Sequence, residues 1–328
     1  MLKNFLKIIF SVGLFSYLVY QGKIDTKLLS RLLLTPGAMA VTLILIVSQN
    51  LSNSFRWLLI LATQTKKKIN FLFLAGINWI GLFFNTVLPG AVTGDLIKML
   101  YVKQIDSKIS KTSMVLTVLM DRIYGLLGLI ILMGAISILR YERLTSIGPG
   151  LETIVHFNLL LLVGALSFFS LMFLPENYQK KFSYFCSKLP LIGKKTIHLN
   201  ECFWMMAQKK KTLFTCVGIS IISHNLGIMA FYHITSPFYE VPVEFLDIYS
   251  VIPVGMIITA IPISPGGMGV GHAAFEKILG YFQLNNGANL FNTFWIMILL
   301  NNILGLIPYL LFSKKKDKIA KTIQLESN

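Results

Sequence analysis

Charge is scarce in this chain, and acid is scarcer still. Charged residues make up 13% of its 328 positions, with 14 Asp and Glu set against 30 Lys and Arg. A soluble domain carries about 25% charged residues, so an ordinary water-facing surface is excluded. Cysteine is nearly missing too. Cys186, Cys202 and Cys216 are an odd number at spacings that match no zinc or redox motif. They are read as inert, which argues against a disulfide framework. No set of residues has metal-ligand spacing and no glycine-rich nucleotide loop occurs, so no metal or cofactor is expected. Lys3 and Lys7 precede an apolar run, as in a signal peptide, but Tyr20-Gln21-Gly22-Lys23 offers no small-x-small cleavage site. A retained first span is expected.

What the chain has in quantity is apolar sequence: 55% hydrophobic residues and a mean hydropathy of +0.68. Several runs reach the roughly 20 residues that cross a bilayer as a helix. The expected fold is all-α: a polytopic membrane protein forming a single domain over 1–328. Six full spans are read at about 5–21, 38–62, 112–139, 151–174, 212–236 and 289–312. The basic residues sit in blocks between them, such as Lys66-Lys67-Lys68, Lys209-Lys210-Lys211 and Lys314-Lys315-Lys316. That is a topology signal and an attraction for anionic headgroups, not a nucleic-acid surface. It places both termini in the cytoplasm, in a bacterial inner membrane. The loop 175–211 interleaves lysines with Phe182, Tyr184, Phe185, Phe203 and Trp204. It is expected to form short amphipathic helices on the inner leaflet. With the basic tail 313–328 it completes the cytoplasmic face.

Two further apolar segments, at about 70–103 and 247–282, carry Pro-Gly breaks. The first runs from Asn85 through Pro89 and Gly90 to Gly94 and Asp95. The second contains Ser264, Pro265, Gly266, Gly267 and Gly269 and ends at His272. Irregular backbone at membrane depth is tolerated only where protein buries it or a wet cavity borders it. Paired broken segments in two halves point to a transporter's binding site. Read as re-entrant hairpins, they make each half span, span, hairpin, span, over about 1–145 and 146–312. The halves would then be inverted repeats. Leu119 to Leu126 resembles Leu299 to Leu306, a displacement close to that between Pro89 and Pro265.

Polar residues inside apolar segments are the candidate site, because an ionised group at bilayer centre costs about 2.5–3.5 kcal/mol on insertion scales. Arg56 lies near Asn50, Asn53, Ser54 and Trp57. It either faces a phosphate or carboxylate, or snorkels to the interface. Asp95 suits the start of a half-helix as a cap, or adds charge to a gate. Asp121 and Arg122 lie about ten residues into the span 112–139 and point about 100° apart, so each needs its own partner; Asp95 and Arg56 are available. His224 and Asn225 lie mid-span, where hydrogen-bonded structure and a functional role are both open. Around the second break, Ser264, His272 and Glu276 join glycines whose N–H groups could face an anion. His272 and Glu276 share a face, but no third ligand makes a metal site.

These motifs resemble one family, the lysylphosphatidylglycerol synthase transmembrane region, a flippase-like membrane domain. The matching residues are Arg56-Trp57, Asn85 to Gly90, Gly94-Asp95, Asp121-Arg122 with Gly125-Leu126, and Pro262 to Val270. In two-domain relatives the resemblance implies movement of aminoacylated phosphatidylglycerol between leaflets, with a soluble domain making that lipid. The sequence ends at Asn328, soon after the last span, so aminoacyl transfer is not expected of it. Thr93 and Lys98 stand where the family has glycine and arginine. His272 stands near the family's usual glutamate, so a contact that relies on that glutamate is not carried over. The expectation is a lipid translocase or scramblase for an anionic or phosphate-linked lipid, such as a modified phosphatidylglycerol or a polyprenyl-phosphate carrier, passive or ion-coupled. Arg56, Asp121 and Arg122 would be cavity charges, with Asn85, Asp95, Ser264 and His272 at the gate tips. The alternatives are a membrane-embedded lipid-modifying transferase using Glu240, Glu244 and Asp247, or a non-catalytic partner of a separate synthase or glycosyltransferase.

Overall fold

A computed structural model describes residues 33–87, 93–106, 108–188, 204, 207–239, 241–260 and 269–312. The first expected span, Pro89, Gly90, Ser264, Pro265, Gly266 and Gly267 lie outside the described residues. The elements are α1 (Pro36–Leu61), α2 (Phe71–Val87), α3 (Thr93–Ile105), α4 (Lys111–Leu139), α5 (Tyr141–Ile147), α6 (Pro149–Ser170), α7 (Glu176–Ser187), α8 (Lys210–Thr235), α9 (Phe245–Ala260), α10 (Val270–Gly280) and α11 (Gly287–Ile303). No strand occurs among the described residues. Five stretches are long and apolar enough to cross a membrane: Pro36–Leu61, Lys111–Leu139, Pro149–Phe173, Lys210–Phe238 and Gly287–Phe312. They coincide with five of the six expected spans.

Local chemistry sets the helix ends. Pro36 and Pro149 open α1 and α6, where a missing N–H costs nothing. Ser110 caps α4 by accepting from the Ser113 N–H at 3.0 Å. Pro253 lies inside α9, where its ring interrupts the backbone ladder.

The two broken segments fold back on themselves. Helix α2 packs against α3, and α9 against α10. In the first hairpin the backbones nearly touch: a Cβ on Gly94 would lie 2.0 Å from the Gly81 carbonyl oxygen. In the second, a Cβ on Gly255 would lie 2.6 Å from the Phe275 ring. Helices α1 to α4 begin at residues 36, 71, 93 and 111, and α8 to α11 at 210, 245, 270 and 287, a displacement of about 175 residues throughout. Helices α1 and α8 form the central pair.

Lipid tails are as apolar as leucine, so helices in a membrane associate through close packing and polar contacts. The central pair follows that rule. Ser223 donates to Asn53 Oδ1 at 2.7 Å, and Gly227 leaves room for the Gln49 amide. Gly128 of α4 faces Ser220 of α8 closely enough that a Cβ would clash. Asn78 donates to Ser54 at 3.0 Å, and Asn158 to Ser137 at 3.0 Å. Helix α6 is the least covered span, so most of its surface meets lipid. Helix α7 supplies the expected amphipathic helix in the 175–211 loop. The Trp204 indole N–H pins the far side of that loop to the Leu171 carbonyl at 3.2 Å.

Candidate functional site

The first turn of α3 carries Asp95, which the folded-back hairpin presses toward α4. The break ahead of it is closed by Asn85, whose Oδ1 accepts from the Gly94 N–H at 2.7 Å. Asp95 is 4% exposed and holds two cations at once. Lys98 Nζ lies 3.1 Å from one carboxylate oxygen. Arg122 donates to the other oxygen from Nη2 at 2.5 Å and from Nε at 3.1 Å. Lys98 also lies over the Trp57 ring, 5.3 Å from its centroid, which ties the cluster to α1.

A second pair sits beside it. Arg56 donates from Nε to Asp121 at 2.7 Å and from Nη1 to Ser220 at 2.9 Å. Arg56 is 6% exposed and therefore does not snorkel. The 100° between Asp121 and Arg122 is used as expected: Asp121 turns to α1 and Arg122 to α3. Together the cluster holds Arg56, Lys98 and Arg122 against Asp95 and Asp121, a surplus of one positive charge. In a low-dielectric setting such pairs persist only because each charge has a partner.

Next to the charges, Gly125 backs the Arg56 guanidinium at ordinary contact distance, and its carbonyl accepts from His224 Nε2 at 3.0 Å. That bond needs the proton on Nε2, which leaves Nδ1 as an acceptor; it is buried without a partner. His224 borders a cavity of about 250 Å³ between the two sets of helices. Gln49 of α1, Thr86 of α2, Thr259 of α9, and Trp295 and Asn302 of α11 also line it. Asn302 donates to Thr86 at 2.9 Å and accepts from Asn301 at 3.0 Å.

Three sequence candidates are engaged in local structure rather than in this cluster. Asn225 accepts from the Tyr249 hydroxyl and donates to the Ile221 carbonyl at 2.8 Å. His272 Nδ1 accepts from the Gly269 N–H at 3.1 Å, with its ring edge-on to Phe291. Gly269 has φ +82°, a backbone only glycine enters freely. Glu276 accepts from the Ala288 N–H at 2.7 Å, capping the positive end of α11. On the opposite side of the helices, Glu244 and Asp247 are clasped by Arg140 at 2.6 and 2.7 Å, and Arg143 reaches Asp247 at 3.4 Å. Glu240 lies outside the described residues.

Sequence reasoning left out Lys98, Ser220 and Gln49. Lys98 carried a usable signal, since a base three residues after Asp95 shares its helix face. Ser220 carried none, because serines in apolar helices commonly bond their own backbone, as Ser220 does to the Cys216 carbonyl at 2.7 Å.

The fold and the buried ion pairs define an integral membrane protein with a polar centre between two hairpin-bearing sets of helices. The family model for the lysylphosphatidylglycerol synthase TM region matches residues 4–311. The chain belongs to that family, which gives it a membrane-lipid-related role. It is also similar to a UPF0104 membrane protein of Pyrococcus horikoshii, with 26% identity over 211 residues. That match covers 58% of this chain and 62% of the relative's length.

Proposed function

We propose that the protein moves the headgroup of an anionic or phosphate-linked lipid between leaflets while the acyl chains stay in the membrane. The observation that supports this most is the surplus positive charge of the Arg56, Asp95, Lys98, Asp121 and Arg122 cluster. An unmatched charge at membrane depth is costly, and the anion abundant there is a lipid phosphate. The constant displacement between α1–α4 and α8–α11 supports an inverted repeat, whose interface is where alternating access exposes a substrate. In this reading the hairpins are gates, the membrane is a bacterial inner membrane, and both termini are cytoplasmic. The lipid is a modified phosphatidylglycerol or a polyprenyl-phosphate carrier, delivered by a separate synthase or glycosyltransferase.

The test is reconstitution in liposomes with fluorescent-headgroup phosphatidylglycerol, followed by dithionite quenching. Signal loss beyond the outer-leaflet fraction is expected for the native chain and not for the Asp121→Ala, Arg122→Ala double variant. Quenching equal to protein-free liposomes, repeated with aminoacylated and polyprenyl lipids, would overturn passive movement of these lipids.

A further inference from the structure

Helix α4 turns one face outward. Val115, Leu119 and Leu126 are 49%, 39% and 49% exposed, and their three- and four-residue spacing puts them on one stripe. Arg122 falls on that stripe, with its side chain 50% exposed. An arginine therefore stands on a surface otherwise aliphatic and facing lipid. Its inner edge is held by Asp95, but Asp95 also serves Lys98.

Beside Arg122 runs a groove of about 270 Å³ between α4 and α6. Ile123, Leu126 and Ile130 form one wall, and Leu160 and Phe168 the other. Gly164 forms part of its lining, and a Cβ there would meet nothing within 4 Å. From Ile123 to Ile130 the groove runs about 10 Å along the helix, starting one residue from the guanidinium. Charge and groove are thus adjacent.

We propose that Arg122 and the α4–α6 groove form a binding site for one anionic phospholipid, with its phosphate on the outer edge of Arg122 and one acyl chain in the groove. The surplus positive charge of the cluster selects the lipid. A zwitterionic headgroup carries its own ammonium and leaves the surplus unmatched, whereas an anionic one cancels it. The lysine-facing alternative, a cationic headgroup, meets no carboxylate here that lacks a basic partner. The site deepens the transport reading, as the place where a lipid docks before its headgroup moves, and it is tested by binding alone.

The probe is phosphatidylglycerol with a diazirine on one acyl chain, added to the full chain in phosphatidylcholine nanodiscs and mapped by peptide mass spectrometry. Labelling of α4 and α6 is expected. Unlabelled phosphatidylglycerol should suppress it, and extra phosphatidylcholine or free glycerol phosphate should not. Arg122→Gln should reduce the preference for phosphatidylglycerol over phosphatidylcholine about tenfold, the size of one charge-assisted contact, and Arg122→Lys should keep most of it. Gly164→Phe, which enters open space, should cut labelling with either headgroup without lowering the melting temperature. Equal competition by phosphatidylcholine, suppression by glycerol phosphate, or undiminished labelling of Gly164→Phe would each overturn the site. If labelling behaves as expected while the dithionite assay shows no movement, the site stands and the transport reading fails.

Discussion

Removing Arg56 and removing Asp121 should each harm the protein far more than removing both. Arg56 and Asp121 lie 2.7 Å apart, with side-chain exposures of 7% and 20%. Their attraction is about 4 kcal/mol at 4 Å and an effective dielectric of 20. Stripping one partner from a buried pair costs about 3–5 kcal/mol, because the other charge is left unmatched. Arg56 is the more buried, so Asp121→Leu, which strands it with only Ser220, should sit at the top of that range. Arg56→Leu strands the better-solvated Asp121 and should sit at the bottom. The double leucine variant leaves no charge behind and should fall within about 1 kcal/mol of the native chain. At about 2–4 °C per kcal/mol, each single variant should melt about 6–15 °C lower in detergent, and the double should nearly recover. Melting followed by circular dichroism, with the double-mutant cycle taken at one temperature, measures the coupling. A double variant as unstable as the two singles added together would refute the pairing.

Other expectations follow from the same geometry. Gly94→Ala puts a methyl against the Gly81 carbonyl and should destabilise by about 1–3 kcal/mol through overpacking, with Asp95 displaced from Arg122. Its check is melting temperature together with the quenching assay; native values in both would mean the hairpin is not closed as described. Glu276→Ala removes a cap from α11 and should cost about 0.5–2 kcal/mol, read as a lower melting temperature. Asp106 is outside the spans, and the Thr65 hydroxyl at 2.6 Å, with the Lys108 N–H, holds its carboxyl below the usual range. A depressed folded pKa gives stability that is complete above the unfolded value of about 3.9. It is lost as pH falls through the folded value. Thr65→Val should therefore move the acid unfolding midpoint upward, and an unchanged midpoint would remove Asp106 from the stability of that turn.

Much of this arrangement was legible because bilayer chemistry simplifies the reading. Apolar runs of the right length gave the five described spans, since a membrane leaves the backbone few other options. The Pro-Gly breaks marked where those runs fold back. Adjacent Asp121 and Arg122 announced two separate partners, because one helix cannot aim both the same way. What stayed hidden depended on helix rotation and approach. His272 and Glu276 share a face of α10, yet one bonds its own turn and the other caps α11, because the start of α11 approaches only one of them. Lys98 competes for the carboxylate that Arg122 also holds, a sharing that exists only once α3 lies against α4. The half-exposed position of Arg122 was likewise invisible until the outward stripe of α4 was in view.

The two hairpins are fastened by different forces. The first closes through backbone contact at Gly81 and Gly94, with ion pairs on Asp95 beside it. The second closes through aromatic rings, Phe275 on Gly255 and Phe291 on Gly271. Water reaching the first hairpin raises the local dielectric and loosens the bonds that hold it, so dissolved ions and wetting govern its opening. Water reaching the second finds rings that offer it little, and its opening answers instead to temperature and to how tightly the surrounding chains pack. Each membrane face thus has its own control: electrolyte on one, bilayer fluidity on the other.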